Sequence, residues 1–158
     1  MTTLLDQNQR DAIPDQVASL LVKDVQQQFP TWSVNFCQRG VSQMVGFLAA
    51  CAVAPEPLGP STVVDRFWHA FIIRTRDYTD FCEKVAGRYI HHIPQDEREH
   101  DPRLPGTGSV IRSRTISAIE ASGHAVDLEF WPELGATDCT QCYQGCHDSP
   151  KRVTGSDR

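Results

Sequence analysis

The segment Pro55-Glu-Pro-Leu-Gly-Pro60 constrains this chain more than any other. Each proline lacks a backbone N–H and biases the residue before it away from helical geometry, so no helix crosses the segment. Regular structure must end before Pro55 and begin again after Pro60. On the N-terminal side, Ile13, Val17, Leu20, Leu21 and Val25 recur at spacings of three and four, which puts them on one stripe of a helix over Ile13 to Phe29. Pro14 and Asp15 suit its first turn, and Pro30 stops it. A second helix is expected from about Ser33 to Ala54, burying Val41, Met44, Val45, Leu48 and Ala52, with a kink near Gly40.

Beyond Pro60, Ser61 offers an N-cap to a helix holding Val64, Phe67, Trp68, Phe71 and Ile72 and ending near Arg74. Thr75 is a suitable cap for a new short helix through Phe81 and Cys82, closed by Gly87. Arg88 to Pro94 reads as extended or irregular, and Gln95 to Gly108 as a polar surface loop. A last helix from about Ser109 to Ser122 has Val110, Ile111, Ile116 and Ile119 as core contacts. The fold expected is all-α: a compact single-domain helical bundle with irregular loops over residues 1–132, then a Cys-rich, partly disordered tail over 133–158.

Composition narrows the function classes. A length of 158 residues with 40% apolar side chains suits one core, and a net charge of −5 without a basic stripe argues against nucleic acid as a partner. The longest nearly apolar stretch, Met44 to Ala54, is too short to span a bilayer, and the N-terminus lacks the pattern of a signal peptide. The expectation is a cytoplasmic chain that does not enter the membrane. Six cysteines beside six histidines in such a chain direct attention to metal chemistry.

Two places gather those ligands. In the centre, Asp65 and His69 are one helical turn apart, so the carboxylate can orient the imidazole while its other nitrogen binds an ion. Cys82 adds a thiol, and His91 and His92 add two imidazoles that an extended chain points to opposite sides, so one of the pair is expected as a ligand. A His and Cys set favours Zn²⁺ over Mg²⁺ or Ca²⁺. On one straight helix the thirteen residues between His69 and Cys82 leave them roughly 140° apart, so a shared ion requires a break at Thr75. The metal set expected is His69, Cys82, His91 and His92, with Asp65 behind it. The same atoms permit a thiol nucleophile at Cys82, although no oxyanion hole is legible for it.

The runs VDRFWHAFI, TRDYTDFC and GRYIHHIP together resemble the glycine-rich domain-containing protein-like family, in its small bacterial form. Asp65, Trp68, His69, Tyr78, Cys82, Gly87, His91, His92 and Pro94 carry the resemblance, which spans roughly Pro60 to Pro94. Phe71 stands where larger plant members have a second histidine. The resemblance implies a fold and a site location rather than an activity.

The second place is the tail. Cys139-x2-Cys142-x3-Cys146-His147 contains a Cys-x-x-Cys half-site suited to zinc, with an iron–sulfur cluster or reversible oxidation as other uses. Cys37 and Cys51 fall within a predicted helix and read as core thiols. The function expected is therefore a binding or interaction module with a structural or regulatory zinc-like site, acting with a protein partner. The alternatives are a metal- or thiol-dependent enzyme at the central cluster and metal or redox handling by the tail.

Overall fold

The computed structural model describes residues 12–94, 108–133 and 146–148. Among the described residues, five helices are α1 (Asp15–Gln28), α2 (Val34–Val53), α3 (Thr62–Ile73), α4 (Thr75–Ala86) and α5 (Gly108–Ala121). Leu128–Phe130 forms one 3₁₀ turn, and two short strands, β1 (His92–Pro94) and β2 (Cys146–Asp148), pair antiparallel. The domain is mostly helical, as expected from the sequence, and the small ladder is an addition to that reading. Three-residue strands are too short to show alternation, which is why the sequence did not announce them. Among the described residues, no helix is long and apolar enough to cross a membrane.

The long helix α2 is the hub, packing against α1, α3, α4 and α5. Ser33 caps it by accepting from the Phe36 N–H at 3.1 Å. Its Cys37, Val41, Met44, Val45, Phe47, Leu48 and Cys51 are all at most 1% exposed, so both thiols are core residues. α2 is continuous through Gly40, so the helix does not break there. Glycine stands there for contact, because a Cβ would lie 2.1 Å from the Phe67 ring. The buried Gln43 fastens the last described stretch of the main body to this helix. Its Oε1 accepts from Trp131 Nε1 at 2.9 Å and from the Asp127 N–H at 3.0 Å, while its Nε2 donates to the Ala125 carbonyl.

The other helix ends follow from local chemistry with small revisions. Ser61 caps α3 by accepting from the Val64 N–H at 3.0 Å, and Gly87 closes α4 in the left-handed conformation with φ 63°. The break between α3 and α4 falls on Arg74, whose ψ of 70° leaves helical space. Thr75 is thus the first residue of α4 rather than its cap. Arg74 is held at the break by a bidentate contact with Asp24 of α1, at 2.7 and 3.1 Å. In α5, Ile111 and Ile119 enter the core and Ile116 half enters it, whereas Val110 faces outward at 47% exposure. One residue before Ile111 is about 100° around the helix, which carries Val110 off the buried stripe.

Candidate metal centre

α3 presents one face to the core and one to the next strand. Phe67, Trp68 and Phe71 are buried, while Asp65 and His69, one turn apart, stand on the side that β1 approaches. The segment leading into β1 is fixed by a buried relay. Trp68 Nε1 donates to the Tyr78 hydroxyl at 3.0 Å, and that hydroxyl donates to the Ile90 carbonyl. Trp68, Tyr78 and Ile90 are all fully buried, so neither bond has water as a ready substitute. The relay sets the chain two residues before His92, whose ring then lies edge-on to Trp68 with centroids 4.5 Å apart.

The result is a triangle of donor atoms. His92 Nε2 is 3.0 Å from Asp65 Oδ1, His69 Nε2 is 3.3 Å from Asp65 Oδ2, and the two Nε2 atoms are 2.7 Å apart. Among the described residues, Asp65, His69 and His92 form a group whose ligand atoms all lie within 4.8 Å of one another. Asp65 and His92 are mostly buried, with side chains 17% and 15% exposed, and His69 borders solvent at 46%. Each Nε2 has a single in-plane direction, used either by a proton or by a lone pair. Two such atoms cannot serve three close approaches through protons alone. A cation inside the triangle would meet both lone pairs and the carboxylate together. Partial removal from water lowers the His69 pKa; the Asp65 charge opposes that shift, and His92 and Arg66 add to it. The ring is thereby favoured in its neutral form, the one that binds metals.

The residues named from sequence divide. His69 and His92 meet, and Asp65 approaches both directly instead of standing behind one of them. His91 points away, exposed, with its ring 4.7 Å from that of Tyr89. This is the divergence of adjacent residues that an extended segment imposes. Cys82 is 1% exposed and lies beneath the segment, where it hydrogen-bonds to the Ile90 backbone and the Tyr78 side chain. The break at Arg74 exists, yet it turns Cys82 into the core and not toward His69. Burial pushes the Cys82 thiol up, with those hydrogen bonds offsetting part of the shift. A nucleophilic thiolate needs the opposite shift and access from solvent. Cys139 and Cys142 lie outside the described residues; Cys146 and His147 are described only as backbone in β2.

What sequence reading missed is the Tyr78 hydroxyl, whose ring reads simply as core. Its signal was present, since a buried tyrosine needs a partner for its O–H.

Fold and site together define a small helical domain with a carboxylate and two imidazoles converging at the edge of its third helix. The profile of the UCP032817-like family matches residues 9–103, more than half of the chain, and the chain belongs to that uncharacterised family. No curated protein and no solved structure matches it. The match corrects the resemblance to the glycine-rich domain-containing protein-like family, because no glycine-rich domain family is found. The shared residues have local structural reasons. Trp68 and Tyr78 form the relay, and Gly87 supplies a left-handed helix end.

Proposed function

We propose that the chain is a metal-binding domain that holds a divalent ion, Zn²⁺ by its donor chemistry, between Asp65, His69 and His92. The observation that carries this reading is the convergence of two imidazole nitrogens and a carboxylate, with the nitrogens 2.7 Å apart. Zinc takes imidazole at about 2.0–2.1 Å, and tetrahedral angles set two such nitrogens about 3.3 Å apart. Loading therefore asks the rings to separate by about half an ångström, a small rotation for a side chain as exposed as His69. The ion would join α3 to β1, a structural or regulatory use that suits a module presenting a surface to a protein partner. A cytoplasmic setting agrees with Cys37, Cys51 and Cys82 as buried thiols outside any disulfide.

A second reading, a Lewis-acid enzyme, is favoured by one feature. Three protein donors with a solvent-facing side leave a coordination position for water.

The test is elemental analysis and thermal melting of the full chain with and without zinc. One equivalent of zinc is expected, lost in Asp65→Asn, His69→Gln and His92→Gln and retained in His91→Ala. At a hundredfold excess over Kd the ion adds about 2.7 kcal/mol. For a chain of this size that is a rise of about 5–11 °C in Tm. A chain that binds no zinc, or a His91→Ala variant that loses it, overturns the reading.

A further inference from the structure

Tyr78 and Cys82 stand one turn apart on α4, so both side chains leave the same face of the helix. Both reach Ile90. The Tyr78 hydroxyl donates to the Ile90 carbonyl. Cys82 makes a hydrogen bond with the Ile90 backbone that favours the ionised thiol, so the sulfur accepts and the Ile90 N–H donates. Each polar group of the Ile90 backbone is thus held by a side chain of the preceding helix. All three residues are at most 1% exposed, and water offers no ready substitute for either bond. Upstream, the Gly87 turn and Arg88, which donates to the Cys51 carbonyl at 3.2 Å, deliver the chain to this grip. Downstream, an extended chain puts alternate residues on one side. Ile90 and His92 face the domain, and His91 faces solvent. The hold on Ile90 therefore fixes where the segment passes α3 and the side on which His92 emerges. Little error is tolerated there, since ligands must keep their geometry to about 0.5 Å.

We propose that Tyr78 and Cys82 form a two-point clamp on Ile90 that sets His92 for the ion, which makes Cys82 a positioning residue of the centre and not one of its ligands. The proposal rests on reading the triangle as an ion site. It gives the buried thiol a use beyond filling space. Alanine would meet most of the packing role of a small core residue, but it cannot accept from the Ile90 N–H.

Cobalt(II) titrations of the full chain, followed by visible absorption, test this in wild type, Cys82→Ala, Cys82→Ser and Cys37→Ala. Cys37 is a thiol of α2 buried as deeply as Cys82, and its truncation controls for lost packing. Cys82→Ala is expected to weaken binding by about 10- to 100-fold, the usual cost of removing a group that orients a metal ligand. Cys82→Ser keeps an acceptor and should recover most of that affinity, and Cys37→Ala should keep the wild-type value. In the ion-free chain, the Ile90 amide of Cys82→Ala should exchange about fivefold faster or more, relative to the α2 amides, for the loss of one hydrogen bond. Wild-type affinity in Cys82→Ala overturns the proposal and leaves the three-donor site standing. An equal loss in Cys37→Ala also overturns it, by assigning the effect to packing. So does a thiolate-to-cobalt charge-transfer band that disappears in both Cys82 variants, which would make Cys82 a ligand. An Ile90 amide that exchanges as in wild type removes the clamp itself. A wild-type chain that binds no cobalt overturns the site reading and this proposal with it.

Discussion

Substituting Tyr78 by Phe removes one oxygen atom and keeps the ring where it packs against Phe71 and Tyr89, at centroid distances of 5.1 and 5.2 Å. The cost arises from what the oxygen joins. Trp68 Nε1 loses its acceptor and the Ile90 carbonyl loses its donor, and both residues are fully buried. A buried polar group left without a partner costs about 1–3 kcal/mol. The indole N–H is deep and its cost is retained in full. An under-satisfied carbonyl oxygen is better tolerated in a protein interior than an orphaned N–H, so the Ile90 cost falls at the lower end. A net loss of about 2–4 kcal/mol follows, equivalent to a fall in Tm of about 4–16 °C for this chain length. Urea titration should show a lower midpoint with an unchanged slope, since the surface exposed on unfolding is the same. Because the relay holds the chain two residues before His92, zinc affinity should also fall, by about 10- to 100-fold, as for other groups that orient a metal ligand. A stability change under about 0.5 kcal/mol, the range of an ordinary surface substitution, would refute the relay as the support of this segment.

Two further outcomes follow from packing and burial. Gly40→Ala would gain about 1 kcal/mol of helix propensity, but its Cβ would meet three atoms of the Phe67 ring at 2.1–2.6 Å. That ring is hemmed by Trp32 and Phe130, so overpacking wins and a net destabilisation of about 1–3 kcal/mol is expected in the same urea titration; a stabilised variant would show that the ring moves freely. Cys82, buried with its thiol pKa raised, should resist iodoacetamide in the native chain even at mildly alkaline pH, where an ordinary thiol ionises, and react on denaturation; native labelling mapped by mass spectrometry to Cys82 would contradict its placement.

The helices were legible because their determinants are local. The Pro55 to Pro60 segment, the Ser61 cap, the Gly87 closure and the apolar stripe of α1 each act within a few residues. Determinants that act across the fold were not legible. Gly40 reads as a helix weakness until Phe67 is placed against it. Thr75 has the chemistry of a cap, yet the break settles one residue earlier, where Arg74 can reach Asp24 on another helix. The candidate site divides along the same line. The turn that links Asp65 to His69, and the divergence of His91 from His92, are matters of spacing. Whether Cys82 joins them depends on how α4 rotates against α2 and α3, and α4 buries Tyr78, Phe81 and Cys82 as one apolar face. Tyr78, Phe81 and Cys82 stand at i, i+3 and i+4, so spacing already put that cysteine on the apolar stripe, and the expectation of a thiolate ligand set it aside.

The geometry also explains why an ion would matter most to one part of the chain. His69 and His92 are separated by the whole of α4 and the Arg74 break, and β1 makes its only regular pairing, among the described residues, with β2. The position of His92 depends on the Tyr78 relay, on the Trp68 ring and on that short ladder. An ion held by both histidines closes this loop as a cross-link does. For a loop of this length the chain-entropy cost removed from the unfolded state is about 3 kcal/mol. The buried core is one apolar cluster that runs through all five helices, and its packing does not depend on that closure. Chelation would therefore act on the α3–α4–β1 unit, by fixing the arm that follows a helix break whose angle local sequence does not determine.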